Sequence, residues 1–249
     1  MESDAYIEKI KNFREKVKSG NVRGVRVIYG DRASVDLIAQ SGMDFIYLDQ
    51  QHGNITIRDI YEITAMLSRY NTVILVRTPD HLPTSIGLAL DAGAHGVLAP
   101  DIETVEQARE FVASTRFPPI GVRSWGRFSA GQFGNSSLDD FVNPICWALI
   151  ESKSAHDQVE KIVRVEGLDG IYVGRFDLAL SMAVSLQAIG SDILLNLALK
   201  NIMKLAADAN LPVGTSGNFS ELSIEGFRIL TVRSELELLS VGLQKYLKY

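Results

Sequence analysis

Short runs of apolar, β-favouring residues recur along the chain, separated by longer stretches whose apolar positions return every three or four residues. The runs fall at 25–29, 45–48, 73–76, 96–99, 147–150, 170–173, 212–214 and 229–232. A short continuous apolar run suits a strand buried on both faces, and its alternation with helical periodicity is the pattern of a parallel sheet covered by helices. Helices are predicted at 33–41, 57–68, 84–92, 105–115, 155–165, 192–207 and 220–226. Gly42, Gly93 and Gly167 stand where helix gives way to strand, as a left-handed C-cap requires. Eight strands predict an α/β fold of the (β/α)8 TIM-barrel class, a single domain over residues 1–249, with an open doubly wound sheet as the alternative.

Two stretches break the rhythm. Residues 116–144 carry Phe117-Pro118-Pro119, then Gly121, Gly126, Gly131, Gly134 and Asn135-Ser136-Ser137 with little periodicity, which predicts a long functional or partner-binding loop. Residues 235–247 predict an apolar-faced helix that docks on its own barrel or on a neighbour.

Composition narrows the picture. With 249 residues, 46% of them hydrophobic, the chain can bury a core of barrel size. A net charge of −5 without a basic stripe argues against a nucleic-acid partner. Residues 1–20 are charged throughout and no apolar run approaches about 18 residues, so neither a signal peptide nor a membrane span is expected and the location is expected to be cytoplasmic. The single cysteine, Cys146, lies inside an apolar run and reads as core.

In a TIM barrel the chemistry gathers where strands end and βα loops begin. After the fifth run comes Glu151, and Asp177 follows the sixth; two hard carboxylates suit Mg2+ or Mn2+, although either could instead cap a helix or pair with Arg77. Arg77 follows the third run, where its planar fork could hold a carboxylate or polarise an oxo group; a structural ion pair would use the same residue. Of the four histidines only His52 stands just past a strand's end, and it is the candidate base. Asp91, ending the helix after the third run, could orient it if that helix is short.

Several strand-end segments, taken together, resemble the HpcH/HpaI aldolase family of class II pyruvate aldolases, which includes enzymes of 4-hydroxy-2-oxoheptanedioate. They are Tyr47-Leu48-Asp49-Gln50-Gln51-His52, Ile74-Leu75-Val76-Arg77-Thr78-Pro79, Asp91-Ala92-Gly93-Ala94, Thr104-Val105-Glu106-Gln107-Ala108-Arg109, Arg116-Phe117-Pro118-Pro119-Ile120-Gly121-Val122-Arg123, Ile150-Glu151-Ser152 and Gly170-Ile171-Tyr172-Val173-Gly174-Arg175-Phe176-Asp177-Leu178. The resemblance implies a divalent metal ion (Mg2+, Mn2+ or Co2+) on Glu151 and Asp177, Arg77 on the pyruvate oxygens, and His52 with Asp91 as an acid/base dyad. It further implies backbone N–H groups around Gly174 and Phe176 for the pyruvate carboxylate. The implied reaction forms or cleaves 4-hydroxy-2-oxo acids from pyruvate and an aldehyde, in a homo-oligomer, trimer or hexamer, with residues 116–144 as active-site lid and intersubunit surface.

The chain also departs from that family. Gln50-Gln51 replaces a Gly-Glu pair before the histidine, Arg175 and Phe176 replace small residues or proline before Asp177, and Arg233-Ser234-Glu235 replaces Gly-Val-Asp after the eighth strand. These changes keep other readings in view: a metal-enolate lyase acting on an acyl-CoA or another oxo acid, or a weakly active or non-catalytic barrel that binds oxo acids.

Overall fold

In a computed structural model describing residues 2–126 and 143–247, all eight strands form and each pairs in parallel with the next. They are β1 (Val22–Val27), β2 (Phe45–Asp49), β3 (Val73–Arg77), β4 (Gly96–Ala99), β5 (Ile145–Ile150), β6 (Gly170–Val173), β7 (Val213–Ser216) and β8 (Ile229–Val232). Pairing of β8 back onto β1, from Val22↔Ile229 to Val25↔Val232, closes the barrel and excludes the open sheet.

Helices lie between the strands: α2 (Arg32–Gln40), α3 (Ile57–Met66), α4 (Pro83–Asp91), α5 (Val105–Ser114), α6 (Lys153–Ile162), α7 (Arg175–Ser181), α8 (Ile193–Asp208) and α9 (Phe219–Ile224). Their starts are built locally. Thr56 with Asp59, and Thr104 with Gln107, form reciprocal capping boxes, while Ser152, Asp192 and Asn218 each accept an N–H of the first turn. Gly42, Gly93 and Gly167 have φ of 83°, 99° and 93°, the predicted left-handed stops.

Strand alternation sorts two cores. Ile46, Leu48, Ile74, Val76, Val97, Ala148 and Ile150 face outward onto the helices, whereas Phe45, Tyr47, Leu75, Trp147, Leu149 and Tyr172 fill the barrel. Cys146 belongs to the outer core, as its apolar context predicted, and burial pushes its thiol pKa up.

The sequence reading gave residues 2–19 no element, yet they form helix α1 (Glu2–Ser19), whose Ile10, Phe13 and Val17 join the inner cluster. Phe13 meets Phe45 at 5.9 Å and Trp147 at 6.0 Å between ring centres. The packing of α1 seals the N-terminal end of the barrel, so access is from the C-terminal end. Burying each of its three large apolar side chains contributes roughly 1.5–3 kcal/mol.

The final helix, α10 (Glu235–Leu247), is joined to β1 by Glu235, whose carboxylate accepts the N–H groups of Ile28 (2.8 and 2.9 Å) and Tyr29 (2.7 Å). No helix among the described residues is long and apolar enough to cross a membrane. The greater part of the loop predicted as lid and intersubunit surface, 127–142, lies outside the described residues.

Candidate active site

At the C-terminal rim, β2 and β3 end in register, Asp49 opposite Arg77, and both side chains point inward. Arg77 grips Asp49 with both arms of its fork, Nε to Oδ1 at 2.9 Å and Nη2 to Oδ2 at 2.5 Å. From β1, Arg26 Nε approaches Oδ2 at 3.0 Å, as an ion pair without hydrogen-bond geometry. Burial alone would raise the Asp49 pKa, but the hydrogen bond and charge of Arg77, aided by Arg26, hold it below the usual carboxylate range. Asp49 Oδ1 also accepts the N–H of Gln51 (3.1 Å) and of His52 (3.2 Å), so this buried carboxylate shapes the loop that carries the candidate base.

Arg77 thus forms the structural ion pair that the sequence left open, and its Nη1 makes no hydrogen bond to a described residue. The sequence reading assigned no role to Asp49 or Arg26. The available signal was the shared inward parity of the last residues of neighbouring strands, which needs the register.

Across the mouth stands a wall of opposite charge. Glu151 follows β5 and is only 9% exposed; its Oε1 accepts the N–H of Asp101 at 3.2 Å. Asp101 has φ of 55°, a left-handed conformation that a short polar residue tolerates and that here aims its N–H at Glu151. Asp177 lies in the first turn of α7, exposed and without a hydrogen bond or ion pair to a described residue. Burial, with the charges of Asp101 and Asp177, pushes the Glu151 pKa up to about 7, against the opposing Asp101 N–H and the more distant Arg77. A Cβ on Gly174 would stand 2.9 Å from Glu151 Oε2, so the lack of a side chain there keeps that oxygen accessible.

These residues fit a divalent cation. Glu151 Oε2 and the Asp177 carboxylate are free acceptors, they repel one another, and burial denies Glu151 the water that would otherwise stabilise its charge. Among the described residues no cluster of three or more metal-ligating side chains occurs, so a cation would rest on these two carboxylates plus substrate or water.

His52 lies on the same rim in the β2–α3 loop, with its side chain exposed. Within one chain its expected partner does not reach it. Asp91 closes α4, which runs back down the barrel for nine residues, roughly 13 Å at 1.5 Å per residue, and its Oδ1 is held by Arg123 Nη2 at 2.7 Å. Two other histidines are committed elsewhere: buried His95 stacks on Tyr6 and accepts the Ile74 N–H at 3.1 Å, with burial lowering its pKa to about 3, while His156 contacts Asn201. His81, in the loop between β3 and α4, also follows a strand, and its Nδ1 is buried with no hydrogen-bond partner among the described residues.

The β6 motif needs one correction. Gly174 N–H donates to Ile150 O at 3.1 Å, so Gly174 contributes space and not a donor, leaving the Phe176 N–H as the one of the two that could meet an anion. Arg175 turns away from the mouth to pair with Glu225 and stack over Phe227. Phe176, 46% exposed, lies beneath Arg233. Two family departures, from β6 and β8, thus meet in a single cation–π contact.

Residues 29–216 match the HpcH/HpaI aldolase/citrate lyase family. The chain belongs to that family. Of its curated relatives, the 2-keto-3-deoxy-L-rhamnonate aldolase of Escherichia coli (strain K12) is 31% identical over 176 residues, covering 68% of this chain and 66% of that protein. The match thus spans just under two thirds of the relative's length. Among solved structures, an HpcH/HpaI aldolase/citrate lyase family protein from Burkholderia cenocepacia J2315 superposes with a TM-score of 0.87 at 23% identity, covering 95% of this chain and 98% of its own. Protein CitE from Mycobacterium tuberculosis, in complex with magnesium and acetate, shares the fold more loosely, with a TM-score of 0.59 at 12% identity and 88% coverage of each chain. The HpcH/HpaI family comprises carbon–carbon lyases; of the segments that carried the resemblance, those holding Asp49, His52, Arg77, Glu151 and Asp177 lie around one barrel mouth, while Asp91, residues 104–109 and Arg116 lie on or next to helices α4 and α5, Arg116 bonding Pro144 O and Gly167 O ahead of β5 and β6.

Proposed function

We propose that this protein is a divalent-metal-dependent aldolase that forms or cleaves 4-hydroxy-2-oxo acids by way of a pyruvate enolate. The observation that supports it is the division of the mouth, with Glu151 and Asp177 on one wall and Arg77, fixed by Asp49, on the other. A cation held by Glu151 and Asp177, of the Mg2+, Mn2+ or Co2+ type, would supply Lewis-acid polarisation of the 2-oxo acid oxygens. The magnesium present with the CitE relative is consistent with that choice.

The chain's own groups do the rest. Arg77 Nη1 faces the oxygen on which negative charge develops as the C3–C4 bond breaks, and Asp49 prevents the guanidinium from rotating away. His52, directly or through one water, takes the 4-hydroxyl proton; the C3–C4 electron pair moves into the enolate, the aldehyde departs, and C3 then regains a proton to give pyruvate. The Phe176 N–H stands by the wall where the pyruvate carboxylate would lie. We also read the protein as a homo-oligomer, a trimer or hexamer, which would cover exposed apolar residues of α10 such as Leu239, Val241 and Leu243.

The test is pyruvate release from 4-hydroxy-2-oxo acids by purified protein with Mg2+, Mn2+ or Co2+, with EDTA, and with Glu151→Ala and His52→Ala. Metal-dependent, EDTA-sensitive turnover that disappears in Glu151→Ala is expected. An absence of turnover with every metal and substrate would turn the reading toward a binding protein.

A further inference from the structure

Arg26 is a second guanidinium in the mouth that the proposed chemistry leaves unused. It ends the inward-facing series Val22, Gly24, Arg26 on β1, and its side chain remains 25% exposed. Arg77 already matches the charge of Asp49 through two hydrogen bonds, so Arg26 leaves this wall one positive charge in excess. Arg26 Nε is buried without a hydrogen bond, and neither Nη1 nor Nη2 makes one with a described residue. Glu235 lies beyond β1, but its carboxylate is engaged by the Ile28 and Tyr29 N–H groups and forms no ion pair with Arg26.

On the side away from Asp49 and Arg77, the neighbours of Arg26 on β7 and β8 are polar and neutral. Its strand pairs with β8 at Gly24↔Thr231, and β8 pairs with β7 at Ser216↔Thr231. Thr231 Oγ1 is buried, and Ser216 Oγ shares a 2.7 Å hydrogen bond with Tyr172 Oη. In an eight-strand barrel β1 stands opposite β5, so Arg26 faces Glu151 across the opening. A substrate whose 2-oxo acid end lies at Glu151 would extend its far end toward Arg26.

We infer that Arg26 is a specificity-determining residue that receives an oxyanionic group on the aldehyde acceptor through its two Nη groups. The inference rests on the aldolase reading for the word acceptor, but not for the anion site itself. Both a carboxylate and a phosphate monoester match the planar fork, and neutral aldehydes gain nothing from it.

The test compares wild type with Arg26→Leu and Arg26→Lys, loaded with Mn2+ and supplied with pyruvate, using succinic semialdehyde, glyceraldehyde 3-phosphate and uncharged butanal as acceptors. A charge-assisted hydrogen bond predicts that wild type favours at least one anionic acceptor by about tenfold or more in kcat/KM. Arg26→Leu should reduce that preference about tenfold, chiefly through KM, and Arg26→Lys should restore part of it. Which acceptor loses more distinguishes carboxylate from phosphate. Equal losses for charged and uncharged acceptors, or an unchanged preference, would overturn the inference.

Binding without turnover separates the two readings. In calorimetric titrations succinate or glycerol 3-phosphate should bind wild type about tenfold or more tightly than Arg26→Leu, with Arg26→Gln taking its place if the leucine variant does not fold. Absence of pyruvate C3 proton exchange in D2O would remove the aldolase reading alone. Indifference of both anions to the Arg26 substitution would remove the Arg26 assignment alone.

Discussion

Asp49 and Arg77 end neighbouring strands at the same register and meet in a bidentate pair, 2.9 and 2.5 Å, that is almost closed to solvent. Among the described residues Asp49 is the one anion that pairs with both Arg77 and Arg26. Removing the anion leaves two cations facing one another, whereas removing either cation leaves Asp49 with a partner. Asp49→Ala should therefore cost about 3–5 kcal/mol, the usual penalty for breaking a buried pair, and more than Arg77→Ala or Arg26→Ala. Urea unfolding of the three variants checks the ranking; an Asp49→Ala protein as stable as the Arg26→Ala protein would show that Asp49 is not the shared counter-charge.

Glu151 gives the metal-free protein a pH dependence of definite sign. Its folded pKa of about 7 lies above the ordinary value of 4.5, so the folded state holds the extra proton between those values. The contribution to stability is complete below about pH 4.5 and is lost as pH rises through about 7. Glu151→Gln should flatten that fall in urea midpoints measured from pH 5 to 8 with EDTA present. The same proton competes with a cation, so Mn2+ affinity should weaken by up to about tenfold per unit as pH falls below 7.

The sequence revealed most clearly those features set by apolar runs. The stretches 96–99, 170–173 and 229–232 coincide with β4, β6 and β8 because each is short, continuous and buried. The start of β1 was missed because exposed Arg23 interrupts its apolar pattern, whereas Arg26, inside the predicted run, turns into the mouth. Helix α1 went unread because Tyr6, Ile10, Phe13 and Val17, spaced as one helical face, are dispersed among charges. That Glu151, Asp177, Arg77 and His52 stand at the C-terminal rim was legible because each lies at or just past the end of an apolar run. Asp49 and Asp101 were not, because their parts depend on strand register and on a backbone turn. Asp91 was misplaced relative to His52 because a helix following a strand carries its last residue away from the mouth.

Gly174 offers a steric test of the carboxylate wall. Its φ of −82° is open to any residue, so Gly174→Ala would not strain the backbone. The added methyl would lie 2.8 Å from Glu151 Cβ and 2.9 Å from Oε2, and the buried carboxylate would have to move. Mn2+ affinity should fall about tenfold or more, as expected when a ligand is mispositioned. Calorimetry on folded protein checks this; unchanged affinity would mean that Glu151 Oε2 is not directed at a cation.

His52 and His81 supply the last prediction, since both follow strands at the same rim. The His52 backbone is tied to Asp49 while its side chain is exposed, which suits a group that must reach substrate and exchange protons with water. The His81 Nδ1 is buried, which suits a group that shapes the loop. Replacing a general base costs typically 10²–10⁴ in rate, so His52→Ala should lower kcat for cleavage by about that factor while leaving Mn2+ affinity within about twofold. His81→Ala should change thermal stability more than kcat. Steady-state kinetics and thermal melts of the two variants decide the assignment: a large kcat loss in His81→Ala with little in His52→Ala would transfer the proton-handling role to His81.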